Sequence, residues 1–120
     1  MSYEQGDIVW IDWRYIDKVD EGESKPRPCV VVSNEDCHTQ DKGDIILCPI
    51  TSNTRLNKFT FLLDNRSLSR SLSKFSEIRT NKLFTYKSTF VLKKHGVIID
   101  DTVISEIINQ VFSAIKTIPK

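Results

Sequence analysis

After a short polar start the chain runs Gly6-Asp7-Ile8-Val9-Trp10-Ile11-Asp12-Trp13, rich in β-branched and aromatic residues with partial alternation. That pattern predicts a half-buried first strand over 6–13. Pro28 to Ser33 and Asp44 to Ile50 are short, almost continuously apolar runs bounded by polar turns, which predicts strands buried on both faces. Phe59 to Leu63 predicts a fourth strand, Lys74 to Thr80 a fifth with alternation at Phe75 and Ile78, and Thr89 to Leu92 a small sixth. The stretch 34–43 reads as a polar connection and 65–73 as a connection holding one short helical turn. Between the first two strands, 14–26 is charged and broken and closes on Pro26-Arg27-Pro28, a long exposed loop of the kind that often serves binding. The period then changes: Val103, Ile104, Ile107, Ile108, Val111, Phe112 and Ile115 recur at helical spacing, so one face of a C-terminal helix is apolar. Asp100 or Asp101 stands where a side-chain oxygen can cap its first turn. A run of strands closed by one amphipathic helix predicts a β-rich α+β fold, the sheet curled toward a small barrel and the helix lying across it.

At 120 residues and 13.8 kDa the chain fits one domain, 1–120, and its mean hydropathy of -0.29 allows a core without any apolar run near the ~20 residues that span a bilayer. The N-terminal residues lack a basic start followed by an apolar stretch, so the expectation is a cytoplasmic protein with no membrane partner. The formal net charge of +1 argues at first against a nucleic-acid partner. Its distribution changes that. Met1 to Asp44 carries five basic and eleven acidic residues, whereas Asn53 to Lys94 carries ten basic and two acidic. Such asymmetry suits a basic surface that meets phosphates or an acidic partner, and also suits charges that merely solvate the face they lie on.

Several chemistries are excluded by motif. With four glycines the chain builds neither a P-loop nor a dinucleotide fingerprint, so no nucleotide cofactor is expected. There is no Gly-x-Ser-x-Gly, no His-Glu-x-x-His and no Cys-x-x-Cys, so no metal site is expected either. Cys29 and Cys48 sit in apolar runs and read as small buried hydrophobes, while Cys37, beside His38 in a polar stretch, looks like an exposed thiol. His38 and His95 are the only histidines, and each reads first as a surface or turn residue.

Two strand ends carry polar residues on rigid mounts. Lys25-Pro26-Arg27-Pro28 locks an arginine between prolines as the chain enters the Cys29 strand, and Pro49-Ile50-Thr51-Ser52-Asn53 sets two hydroxyls and an amide after the Cys48 strand. If those strands are neighbours, Arg27 offers a guanidinium fork to a phosphate and Thr51 a hydroxyl to orient it. By residue type alone, Arg27 reads first as a surface cation and Thr51 as a turn former.

Four segments in register, Gly6-Asp7-Ile8-Val9-Trp10, Arg27-Pro28-Cys29-Val30-Val31-Val32-Ser33, Cys48-Pro49-Ile50-Thr51-Ser52 and Glu77-Ile78-Arg79-Thr80, resemble the MazF/PemK family of toxin endoribonucleases. The resemblance spans Gln5 to Ile115. It implies an SH3-like barrel of five to seven strands with a C-terminal helix, a homodimer, and cofactor-free, metal-independent cutting of single-stranded RNA at short motifs. It implies Arg27 and Thr51 as the catalytic pair, with the RNA 2′-OH as nucleophile and a 2′,3′-cyclic phosphate as product. Lys25, Ser52, Asn53, Lys74 and Arg79 are then the RNA-binding candidates. A cognate antitoxin is implied too, its acidic, partly disordered segment laid along a groove. Members that use an acid within Arg-Cys-Asp differ from this chain, which has Lys74-Phe75-Ser76 there, so that acid's role does not transfer. The acidic stretch Asp17 to Glu23 is expected to screen the site or tune which RNA enters. The competing readings are a non-catalytic CcdB-like toxin and a barrel that binds RNA or protein without chemistry. The tail Thr117-Ile118-Pro119-Lys120 lacks the Trp-Gly-Ile ending of gyrase poisons.

Overall fold

The computed structural model describes residues 2–13, 25–40 and 42–119. Most of the expected loop, 14–24, lies outside them, and with it the acidic stretch. The described residues form seven strands and two α-helices: β1 (Asp7–Asp12), β2 (Pro26–Val31), α1 (Glu35–Gln40), β3 (Asp44–Thr51), β4 (Thr60–Leu63), β5 (Ser76–Arg79), β6 (Phe84–Lys87), β7 (Lys93–Val97) and α2 (Asp101–Ile115).

All pairings are antiparallel and the strand order is β4-β5-β3-β2-β1-β7. β3 is the long central strand. One edge pairs β2 from Cys29↔Pro49 to Val31↔Leu47, while the other is shared between β6, over Asp44 to Leu47, and β5, at Ile50↔Ile78 and Thr51↔Glu77. The sheet is β-rich with a C-terminal helix, as expected, but it is not closed: no pairing joins β4 to β7.

Strict alternation sorts the side chains into two cores. Ile8, Val30, Cys48, Ile50 and Ile78 face one side and pack with Ile107 and Val111 of α2. Val9, Ile11, Cys29, Val31, Ile45, Leu47 and Tyr86 pack on the other side. β2 and β3 are therefore buried on both faces, as their continuous apolar runs require. α2 starts at Asp100, whose carboxylate accepts from the Thr102 backbone N–H at 2.9 Å and from the Thr102 hydroxyl. Each fully buried isoleucine such as Ile107 contributes about 1.5–3 kcal/mol of apolar burial.

Three expectations are corrected. Ser88–Phe90, which overlaps the start of the expected sixth strand, is a 3-10 turn, and the flanking strands are β6 and β7. The connection 34–43 holds α1, whose six residues include no buried side chain to produce an apolar period. Phe75 does not alternate into the core with Ile78; it is 65% exposed, because β5 begins only at Ser76.

Candidate active site

Arg27 lies on β2 opposite Ile11 of β1, and Thr51 is the last residue of β3, opposite Glu77 of β5. Glu77 in turn stands opposite Leu62 of β4. The β2/β3 pairing ends at Cys29↔Pro49, and Arg27 and Thr51 are the matching positions two residues beyond that end. Ile11 and Arg27 form one paired row, and Thr51, Glu77 and Leu62 another. Alternation from Cys29 and Leu47 puts Arg27 and Thr51 on the face away from α2, next to the core of Val9, Cys29 and Leu47. The condition set by the sequence is met: the two strands are neighbours, and both residues end them on one face.

The two side chains differ in setting. Arg27 is exposed, with its guanidinium open to a ligand, and among the described residues no ion pair occupies it. Thr51 is half-buried, and its Oγ1 accepts from the Asn53 backbone N–H at 3.1 Å. That bond uses one lone pair and leaves the hydroxyl proton available to a ligand. Together they offer a forked cation and a donor O–H, a set that can grip a phosphate and stabilise charge building on it.

Ser52 and Asn53 are exposed at the start of the β3–β4 loop. Lys25 is half-buried, its backbone N–H donated to the Asp12 carboxylate at 3.1 Å and its carbonyl accepting from the Trp13 N–H at 2.7 Å. Those bonds fasten the chain leading to Arg27 onto β1. Arg79 closes β5 opposite Thr60. Lys74 borders a cleft of about 360 Å³ that adjoins Leu62, the β4 partner of Glu77, and is lined also by Leu63, Asn65 and Phe75. Thr51, Ser52 and Asn53 follow one another at the end of β3, and Arg27 stands near the start of the neighbouring β2 on the same face as Thr51; Arg79 lies at the end of β5 and Lys74 before it.

The remaining candidates are structural. Burial pushes the Cys29 thiol far up, with Cys48 adding to the effect, and burial pushes Cys48 up to about 12, so both stay protonated and unreactive. Cys37 is half-buried rather than exposed. His38 does not serve it: its Nε2 lies 2.5 Å from Ser33 Oγ and its Nδ1 3.0 Å from the Tyr3 carbonyl. His95 Nδ1 accepts from Trp10 Nε1–H at 3.2 Å, which assigns the proton to Nε2, where the Ser71 carbonyl accepts at 3.1 Å. Both rings hold segments together, at different places in the fold. Among the described residues no cluster of three histidine, cysteine or acidic side chains could hold a metal ion.

One residue of the second row was not singled out from sequence. Glu77 is fully buried, and its carboxylate accepts from the backbone N–H groups of Arg55 at 2.7 Å and Leu56 at 3.3 Å. A signal existed: it is one of only two acids in the basic stretch 53–94. The other, Asp64, is exposed and bound to Arg66 at 2.8 Å, whose hydrogen bond holds its carboxyl below the usual range.

The comparisons with known proteins agree with this geometry. Among solved structures the chain is similar to an endoribonuclease from a Mycobacterial species, at 13% identity and TM-score 0.71, covering 95% of this chain and 91% of that one. It is similar to MazF from Deinococcus radiodurans at 14% identity and TM-score 0.69, covering 94% and 96%. An endoribonuclease in complex with its cognate antitoxin, from a Mycobacterial species, matches at 16% identity and TM-score 0.68, covering 94% of each chain. At such identities the likeness shows the fold. Among curated proteins no significant match is found. The sequence pattern of the PemK-like, MazF-like toxins of type II toxin-antitoxin systems matches residues 4–115, and the chain belongs to that family.

Proposed function

We propose that this toxin is an endoribonuclease that cuts single-stranded RNA, with Arg27 and Thr51 as its catalytic residues. The observation that carries the reading is the placement of these two residues: a guanidinium unpaired among the described residues and a hydroxyl with its proton available, at the ends of neighbouring strands on the sheet face opposite α2, in a family fold shared with endoribonucleases. The 2′-OH of the substrate attacks the adjacent phosphorus. The O2′–P bond forms, the P–O5′ bond breaks, the 2′ proton leaves and the departing 5′ oxygen takes up a proton. The products are a 2′,3′-cyclic phosphate and a 5′-hydroxyl. Arg27 stabilises the extra charge on the phosphorane oxygens and Thr51 donates to one of them. A single preorganised donor of this kind contributes roughly 3–4 kcal/mol. Lys25, Ser52, Asn53, Lys74 and Arg79 hold the strand, and no cofactor enters the chemistry.

The partners follow from the family and the charge. We propose a homodimer in the cytoplasm, restrained by a cognate antitoxin whose acidic segment competes with RNA for the basic surface. Among the described residues no helix is long and apolar enough to cross a membrane.

Incubating the purified protein with a long single-stranded RNA in EDTA tests the reading. Wild type is expected to cut and leave 2′,3′-cyclic phosphate ends. Arg27→Ala and Thr51→Ala are each expected to lose about 100-fold or more in rate. RNA left intact by wild type overturns the reading in favour of a non-catalytic binder.

A further inference from the structure

Resting on that reading, we propose that Glu77 is a positioning residue for Thr51, acting through the loop that follows it. Glu77 is fully buried, stands directly opposite Thr51 in the β3/β5 ladder, and points to the same face. A carboxylate is costly to bury unless its oxygens are satisfied. Here both are bonded to consecutive backbone N–H groups, Arg55 at 2.7 Å and Leu56 at 3.3 Å.

The receiving loop is shaped for an anion. Leu56 has φ +51°, and successive N–H groups in a turn with one left-handed residue form a concavity that binds negative charge. In this protein an internal carboxylate fills it. The consequence reaches Thr51 through few bonds. Between Thr51 and the clamped Arg55 lie only three residues, and within them the Asn53 N–H donates to Thr51 Oγ1. That N–H takes one of the three tetrahedral positions on the hydroxyl oxygen and so confines its proton to the other two. Anchoring the loop at Arg55 and Leu56 holds the Asn53 amide in place, and with it the Thr51 O–H and the exposed Ser52 and Asn53 side chains.

The test is Glu77→Gln, which keeps the volume but supplies one acceptor oxygen, so one of the two N–H groups meets an amide NH2. Three quantities are read: the thermal midpoint, single-turnover cleavage at saturating RNA, and affinity for the same RNA with a 2′-deoxy substitution at the cut site. The proposal expects a folded variant whose cleavage rate falls at least 10-fold while affinity changes less than 3-fold. Amide hydrogen exchange at Arg55 and Leu56 is expected to be slow in wild type and at least 10-fold faster in the variant. Undiminished cleavage by folded Glu77→Gln overturns the proposal, as does fast exchange of those two amides in wild type. A Glu77→Gln chain that does not fold makes the role purely structural and overturns it as well. Wild type that cuts no RNA overturns the proposed function and this role together, whereas the first two outcomes overturn this role alone.

Discussion

Leu56 holds a left-handed backbone while its side chain is 66% exposed, so it bears conformational cost with little packing in return. For an L-residue that region costs roughly 1–2 kcal/mol, which glycine escapes. Leu56→Gly is therefore expected to stabilise the fold by about 1 kcal/mol, net of the entropy glycine gives up on folding, as measured by urea denaturation. A loss of stability would mean that the Leu56 side chain packs more than its exposure indicates. Glu77 shows the converse case at the same scale. Its identity was visible in the sequence, inside Glu77-Ile78-Arg79-Thr80, yet its partners were not, because they are backbone groups more than twenty residues away. Arg27 and Thr51 were legible as candidates because proline flanks and strand ends mark them locally and the family resemblance pairs them, whereas a carboxylate bonded to main chain leaves no complementary residue type to find.

Among the elements, α2 and the strands β1, β2 and β3 were legible for the same reason: each commits a long apolar run or stripe to a core. β6 and β7 were not. Phe84–Lys87 buries only Tyr86, and Lys93–Val97 is an edge strand that starts with two exposed lysines, so neither has a hydrophobic pattern of its own. They are strands because β3 and β1 supply partners, a tertiary effect. The start of α2 carries a pH dependence. The hydrogen bond from Thr102 holds the Asp100 carboxyl below its usual range. A carboxylate depressed on folding stabilises at pH values above its unfolded titration, about 4, and that contribution disappears as pH falls through the folded value. Thermal midpoints measured from pH 7 to pH 2.5 should show wild type losing more than Asp100→Asn on acidification. Parallel curves would refute the cap's contribution.

For the whole molecule, net charge is the wrong measure and its placement the right one. The basic segment keeps most of its charge available: Arg66 pairs with Asp64 and Lys94 with Asp7, the Glu77 carboxylate is taken by backbone N–H groups, and among the described residues Lys74 and Arg79 of that segment, like Arg27 outside it, enter no salt bridge. Binding of a single strand by such a surface releases about 0.7 counterion per phosphate neutralised. With Lys25, Arg27, Lys74 and Arg79 engaged, the logarithm of the affinity for a 2′-deoxy-substituted RNA should fall against log salt with a slope of about -3. Arg79→Ala should reduce that slope by about 0.7, and a salt-independent affinity would remove phosphate contact as the basis of binding. The cysteines bear on how the molecule opens. Cys29 and Cys48 are buried on opposite faces of β2 and β3, the strands that carry Arg27 and Thr51, and burial keeps both thiols unreactive. A thiol reagent reaches Cys48 when the core under α2 opens and Cys29 when the opposite core opens. Their labelling rates, read apart from that of half-buried Cys37, therefore time the opening of each face of the two strands that carry the site, an intrinsic stopwatch that needs no engineered probe.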